Sequence, residues 1–338
     1  MTKQRYIDLY MGDGKTLEQR DRRLPEYEPF IGTDDPKNYI ASKGLRNAVN
    51  VALTLGQPLL ITGEPGTGKT RLGASTAWEM GLDLLEFHTK TTSTAADLFY
   101  QYDALRRFQD SQLKEQKAIE KYITCQALGT AIVLTTPADK RPEQVKRILP
   151  EDLRHKGPVR SVVLIDEIDK APRDLPNDIL NEVENMQFKI KETTWKPFIA
   201  DQKFRPVLIL TSNSEKNLPD AFLRRCVFFH IDFPDDNALK EIVIRRFKDK
   251  WDITPEFTDE FIENSINHFI GVRKLNLKKR PATAELLAWI NIVKTLGIDM
   301  AAIREDQKEK LELSYSVLAK TREDLNSLKN NLTEMVKK

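Results

Sequence analysis

The chain has 338 residues, enough for about two domains and a core that folds unaided. Lysine and arginine total 53 against 51 acidic residues, a balance that gives no electrostatic case for nucleic acid or a membrane surface. The two cysteines, Cys125 and Cys226, lie far apart with no His or Cys at ligand spacing, which argues against a disulfide or zinc framework and for a reducing cytosol.

The N-terminus carries no apolar leader and no run approaches membrane-spanning length, so a cytoplasmic protein with no membrane partner is expected. Residues 1–35 are polar and broken by Pro25 and Pro29, with Pro36 just beyond. Within them, Gly12-Asp-Gly-Lys-Thr16 mimics the end of a phosphate loop. Leu9 stands where the first glycine belongs and no strand leads in, so this is a decoy. Residues 37–56 place Ile40, Leu45, Val49, Val51, Ala52 and Leu55 at near-helical spacing and stop at Gly56. That helix either lies beside a nucleotide base or simply covers the sheet.

Pro58-Leu-Leu-Ile-Thr then runs as an apolar strand into Gly63-x-x-x-x-Gly68-Lys69-Thr70, a complete phosphate loop. Glycines at 63, 66 and 68 permit tight turns in which successive N–H groups face an anion. The predicted cradle is Gly63, Glu64, Pro65, Gly66, Thr67, Gly68, Lys69, Thr70 and Arg71. Lys69 reaches the β/γ-phosphates, the Thr70 hydroxyl ligates Mg²⁺, and the helix from Thr70 through Trp78 adds its positive end.

Asp83–His88 reads as a second strand, with His88 packed or solvated. Residues 89–110 open on hydroxyl residues and become an amphipathic helix around Leu98, Phe99, Tyr102, Leu105 and Phe108. Residues 111–160 give a polar helix, an apolar patch at Leu128–Leu134 and a basic stretch, Lys140–Lys156, expected on the solvated surface. Ser161-Val-Val-Leu-Ile-Asp-Glu-Ile-Asp169 fits a strand buried on both faces and ending in acids at the ligand-binding edge. This is the Walker B pattern: Asp166 holds Mg²⁺ and Glu167 orients or deprotonates water, unless the pair merely caps the next helix.

A helix over Asp174–Met186 and a hairpin over Phe188–Ile199 follow, with Trp195 free to touch a partner or pack on an edge. Arg205–Asn213 is another buried strand. Asn213 at its end either bonds the γ-phosphate or the attacking water, or is a turn residue. Arg224 and Arg225 precede the strand Val227–Ile231; they either supply transition-state charge to a neighbouring subunit or form surface salt bridges. Pro234 marks a boundary, after which residues 237–297 carry helical patterns and no buried strand. Pro281 reads as a helix start, with Arg280 just before it aimed at phosphates and Arg273 a competitor. A last helix over roughly 306–337 repeats Leu311, Leu318, Leu325 and Leu332 every seven residues, but Ser314 and Thr321 interrupt the companion series. Packing on its own lid is favoured over self-association.

Taken together, Gly63–Thr70, Asp166-Glu167, Asn213, Arg224-Arg225 and Lys279-Arg-Pro-Ala-Thr-Ala-Glu-Leu-Leu287 resemble, in order, the Walker A, Walker B, sensor 1, arginine-finger and sensor 2 motifs of AAA+ ATPases. Leu218-Pro-Asp-Ala-Phe-Leu-Arg-Arg resembles the MoxR-type branch, although Asp169-Lys170 stands where many of its members have Asn-Arg. The resemblance implies an α/β fold: a P-loop large domain over 36–233 with a parallel central sheet flanked by helices. After it would come a small all-α lid over 234–297 and a C-terminal helical extension over 298–338, with 1–35 as an N-terminal extension. It also implies ATP and Mg²⁺ as cofactors, with Lys69, Glu167, Asn213, Arg224, Arg225 and Arg280 serving hydrolysis and Thr70 and Asp166 the metal. The assembly would be a ring of usually six subunits that remodels or matures protein partners, typically von Willebrand A-domain proteins. A nucleic-acid motor or loader and a nucleotide-controlled scaffold with little turnover are the alternatives.

Overall fold

The computed structural model describes residues 35–115, 117–214, 218–248 and 259–336, with 10, 12 and 14–16 near the start; of the decoy, Asp13 and the preceding Leu9 lie outside them. Contacts divide the described chain into two compact units, Tyr39–Asp232 and a unit running from Phe233, with which the residues up to Asn38 are grouped.

Apolar runs without polar alternation dictate strands covered on both sides, and the first unit is built on them. In chain order its strands are β1 (Leu59–Gly63), β2 (Asp83–His88), β3 (Tyr100–Tyr102), β4 (Ile123–Cys125), β5 (Ser161–Asp166), β6 (Gln187–Phe188), β7 (Phe198–Ile199), β8 (Val207–Ser212) and β9 (Val227–Ile231). Five of them form a sheet in the order β2-β5-β8-β1-β9, every pair parallel. β1 and β5 are buried at every position. Leu59, Ile61, Val162, Leu164 and Ile209 meet Leu45, Val49 and Leu72 on one face, while Leu60, Val163, Ile165 and Leu210 join the larger core on the other. Parallel strands of this kind place all their carboxyl ends, and any polar residue found there, on one edge.

The helices of this unit are α1 (Lys43–Leu55), α2 (Lys69–Met80), α3 (Ala104–Gln112), α4 (Ala127–Leu134), α5 (Glu143–Arg147), α6 (Leu175–Asp178), α7 (Leu180–Asn185) and α8 (Asp220–Leu223). α1 starts later than its apolar spacing predicts, because Ser42 caps it by accepting from Leu45 N at 3.1 Å. The amphipathic helix expected around Leu98–Phe108 is two elements. Leu98, Phe99 and Tyr100 are buried consecutively, Tyr100–Tyr102 pairs with β4, and only after the Asp103 cap does α3 begin. Leu105 and Phe108 are then 68% and 61% exposed. Nor is the basic stretch wholly solvated: Arg141 is buried, donating to the carbonyls of Thr136, Arg154 and Lys156. The helix expected over Asp174–Met186 breaks at Ile179 into α6 and α7, and the hairpin strands β6 and β7 are two residues each. Trp195 packs edge-on to Phe198, half-buried.

The second unit is helical: α9 (Asp236–Lys248), α10 (Asp259–Lys274), α11 (Thr283–Thr295), α12 (Glu305–Leu318) and α13 (Arg322–Val336). The single terminal helix is thus two. Ala319 is extended, and Thr321 restarts the helix by accepting from Asp324 N at 3.1 Å. Leu311, Leu318, Leu328 and Leu332 are buried with Phe269, Trp289 and Ile290 of the same unit. Ser314, a defect for a coiled coil, accepts from Trp289 Nε1 at 2.9 Å inside that core. Pro281 lies two residues before α11 rather than at its first position. Among the described residues no helix is long and apolar enough to cross a membrane.

Candidate functional site

At the carboxyl end of β1, Gly63 has φ of +153° and a Cβ there would lie 2.6 Å from the Ile231 carbonyl oxygen, so a side chain is excluded. The loop from Gly63 through Gly68 then feeds α2, whose N-terminus at Gly68 has no side-chain cap. Its first amides therefore point their positive end at the loop without a competing side-chain acceptor. Within the loop, Thr67 Oγ1 donates to Glu64 O at 2.9 Å, and Glu64, Pro65 and Gly66 are exposed. Arg71 N donates to Gly68 O at 3.2 Å, in the first turn of the helix.

Lys69 is buried, and its Nζ donates to Gly63 O at 2.8 Å, Glu64 O at 3.0 Å and Asn213 Oδ1 at 3.0 Å. Burial lowers its pKa, and the nearby carboxylates of Asp169, Asp166 and Glu167 oppose that shift. The ammonium thus sits between the loop and the ends of two neighbouring strands.

β5 delivers Asp166 to the same edge. Its Oδ1 accepts from Thr70 Oγ1 at 2.9 Å and from Thr211 Oγ1 at 2.5 Å. The exposed ring of His88, opposite Asp166 in the β2–β5 register, puts Nδ1 3.6 Å from Asp166 Oδ2. Glu167 adopts the left-handed conformation (φ 56°, ψ 49°), uncommon for a residue with a side chain, and its N–H donates to Thr211 Oγ1 at 2.9 Å. The Glu167 carboxylate pairs with Lys170, whose pKa it raises. Asn213 is oriented from behind by Asp169 Oδ1, which accepts from Asn213 N at 3.2 Å.

Sequence reasoning gives no site role to Thr211 or Asp169. Thr211 gains its signal from the register: β5 and β8 are parallel with Ile165 opposite Leu210, which puts Thr211, the first polar residue after the apolar run, level with Asp166. Asp169 stands out in the sequence only as a departure from a family pattern.

The structure thus gathers Lys69, Thr70, Asp166, Glu167 and Asn213, and it keeps Arg224 and Arg225 away from them. The arginines follow α8 and precede β9, which runs parallel to β1 with Leu59 opposite Val227 and Gly63 opposite Ile231. They therefore sit at the amino edge of the sheet, about 17 Å from their own phosphate loop by strand rise. Arg225 is anchored: Nε donates to Glu184 Oε2 at 3.1 Å and Nη1 to Ala221 O at 2.8 Å. Arg224 is exposed and makes no ion pair among the described residues. In the helical unit, Arg280 is exposed, whereas Arg273 is engaged, its guanidinium 3.5 Å from the Phe233 ring centroid and donating to Pro281 O.

The donor set fits a nucleotide polyphosphate with a hard divalent cation. Uncapped amides and an ammonium suit the phosphates, and a hydroxyl 2.9 Å from a carboxylate suits Mg²⁺. Among the described residues no cluster of three or more His, Cys, Asp or Glu offers an all-protein metal cage.

A search of curated proteins returns no match. Among solved structures, two mutant forms of Thermotoga maritima RuvB align at 16% and 15% identity, covering 84% and 85% of this chain and 79% and 80% of theirs. Their TM-scores are 0.41 and 0.42, loose overlaps. The model of the "ATPase family associated with various cellular activities (AAA)" matches residues 59–235, more than half of the sequence. That span runs from β1 through β9 and contains every group gathered at the carboxyl edge, so the chain belongs to the AAA family of ATPases.

Proposed function

We propose that this protein is an Mg²⁺-dependent ATPase that works as an oligomeric ring and remodels or matures partner proteins. The observation that carries the ring is the split between the two edges of one sheet. Lys69, Thr70, Asp166, Glu167 and Asn213 converge at the carboxyl edge, while Arg224 is exposed at the amino edge with no ion pair among the described residues. A chain holding both halves of a phosphoryl-transfer site at opposite ends of a rigid sheet completes the site with a second copy.

Within that reading each group has a role its geometry supports. Lys69 and the α2 amides orient the β- and γ-phosphates, and Thr70 and Asp166 would hold Mg²⁺, which supplies charge neutralisation. Thr211 fixes Asp166 and the Glu167 backbone together, so the backbone that carries the base is held beside the metal ligand. Glu167 takes the proton from water, and Asn213, held by Asp169, orients that water or the γ-phosphate. Arg224 rather than Arg225 is the arginine given to the neighbour, because Arg225 is already bound to Glu184. Arg280 answers to the same phosphates, on the phrasing of its sequence.

The partner class rests on the MoxR-type phrasing of Leu218–Arg225 and on the balanced charge, which gives no support to a nucleic-acid track. A von Willebrand A-domain protein is the chemistry to look for. Two measurements test the reading. ATP turnover per chain should fall on dilution in step with dissociation seen by light scattering; a rate independent of concentration down to monomer sinks the shared site. Capture by Glu167→Gln with ATP should recover a protein; stimulation of turnover by DNA instead, abolished by salt, would move the assignment to a motor.

A further inference from the structure

One short loop of the helical unit has its backbone held on both flanks of Arg280, whose side chain has no ion pair among the described residues. Asp324, in the first turn of α13, is 2% exposed. Its Oδ1 accepts from Lys278 N at 2.8 Å and its Oδ2 from Lys279 N at 3.2 Å. Burial alone would raise the pKa of this carboxyl, but the Lys278 N–H, the Thr321 hydroxyl and the Lys279 N–H hold it below its ordinary value. It is an anion with one oxygen for each amide. On the other flank Arg273 of α10 donates to Pro281 O, and Ala282 N donates to Glu285 Oε2 at 3.0 Å. The backbone is therefore fixed immediately before and after Arg280, whose own side chain is exposed. A guanidinium on such a loop meets an anion with its backbone already ordered. None of α13 falls within the family match, which ends at residue 235.

We propose that Asp324 is a positioning residue for ATP turnover: through the Lys278 and Lys279 amides, the C-terminal helix α13 sets the loop that presents Arg280. This rests on the reading of Arg280 as a phosphate-responsive residue. An asparagine at 324 keeps one carbonyl acceptor but turns an NH₂ toward the second amide, so it loosens the clamp while preserving shape.

The test uses the whole chain as wild type, Arg280→Ala, Asp324→Asn, Asp324→Ala and the Asp324→Asn/Arg280→Ala double variant. It measures kcat and KM for ATP, with amide hydrogen exchange of residues 278–281. Arg280→Ala and Asp324→Asn should each lower kcat/KM roughly tenfold, as expected for misplacement of a phosphate-facing group. The double variant should fall no more than about twofold below either single, because both act through one guanidinium. The Lys278 and Lys279 amides should exchange faster in both Asp324 variants. If Arg280→Ala loses activity and Asp324→Asn does not, the positioning role is overturned and the Arg280 reading stands. If Arg280→Ala is itself silent, both fall. A double variant that loses the product of the two singles, or amides that stay protected, also overturns the proposal. Should Asp324→Ala fail to fold, the asparagine variant decides alone.

Discussion

The two edges of the parallel sheet are built on opposite plans. At the carboxyl edge, side chains from the ends of two strands and one helix are bonded to each other, so Lys69, Thr70, Asp166, Thr211 and Asn213 hold fixed relative positions. At the amino edge, one of two adjacent arginines is tied down and the other stands in solvent. Preorganisation serves groups that must act together on one phosphate, since reorienting them at the moment of reaction would raise the barrier. A long cation delivered to another subunit needs reach instead, and an intramolecular partner would only compete with its target. Arg225 and Glu184 lie in one chain, so their bond is made whether or not a neighbour is present; Arg224 has no such partner among the described residues. Two like residues side by side thus acquire different work from what lies beside them.

The sharpest way to break this contrast is at Arg224. Arg224→Ala should reduce turnover about 10³-fold or more if it supplies transition-state charge, with ATP affinity little changed. Its position predicts more than the loss. Mixed with Lys69→Ala, itself inactive, Arg224→Ala should regain turnover, because a mixed interface joins an intact loop to an intact arginine. Absence of recovery at every mixing ratio, in rings shown to exchange subunits, would place the arginine in its own chain's site. At the other edge, Glu167→Gln should lower kcat roughly 10²–10⁴-fold while nucleotide binding persists, since an amide holds no proton-accepting charge. Equal loss of binding would assign Glu167 to the cradle rather than to the water.

Thr211 tests how far the carboxyl edge depends on its internal bonds. Thr211→Val keeps the shape of a fully buried side chain but removes the hydroxyl shared by Asp166 and the Glu167 N–H. The stranded amide should cost about 1–3 kcal/mol of stability. Turnover should drop about tenfold through a lower kcat with KM nearly unchanged, as expected when a base is displaced rather than a ligand lost. A change confined to KM would mean that Thr211 supports the cradle alone.

How much of this is legible in the sequence follows from how local each signal is. The strands β1, β5 and β8 are announced by continuous apolar runs, β2 and β9 by shorter apolar stretches broken by Glu86 and His230, and the phosphate loop by spacing within eight residues. Tyr100–Tyr102 is not announced, because its partner Ile123–Cys125 lies some twenty residues on and three-residue strands have no period to detect. The terminal leucines are spaced for one helix, yet Thr321 caps a new one, and Ser314 looks like a flaw until Trp289 is brought to it from another helix. Lys69, Asp166 and Asn213 are visible as strand-end residues. Thr211 becomes visible only once β5 and β8 are known to be neighbours, and Glu184, the partner that separates Arg225 from Arg224, gives no sequence signal.

That last pair carries the smallest expected effect and the finest distinction. Arg225 and Glu184 are both largely exposed, and ion pairs of that kind contribute little to stability because water screens them and the side chains lose freedom. Glu184→Gln should therefore leave the melting temperature unchanged within error and turnover within about twofold of wild type. Arg225→Ala should behave alike, in contrast to its neighbour. If instead Arg225→Ala abolishes turnover while Arg224→Ala does not, the anchored arginine is the one that crosses to the next subunit. Its bond to Glu184 must then break when the ring assembles, and Glu184→Gln, by releasing it in advance, should raise turnover at low protein concentration.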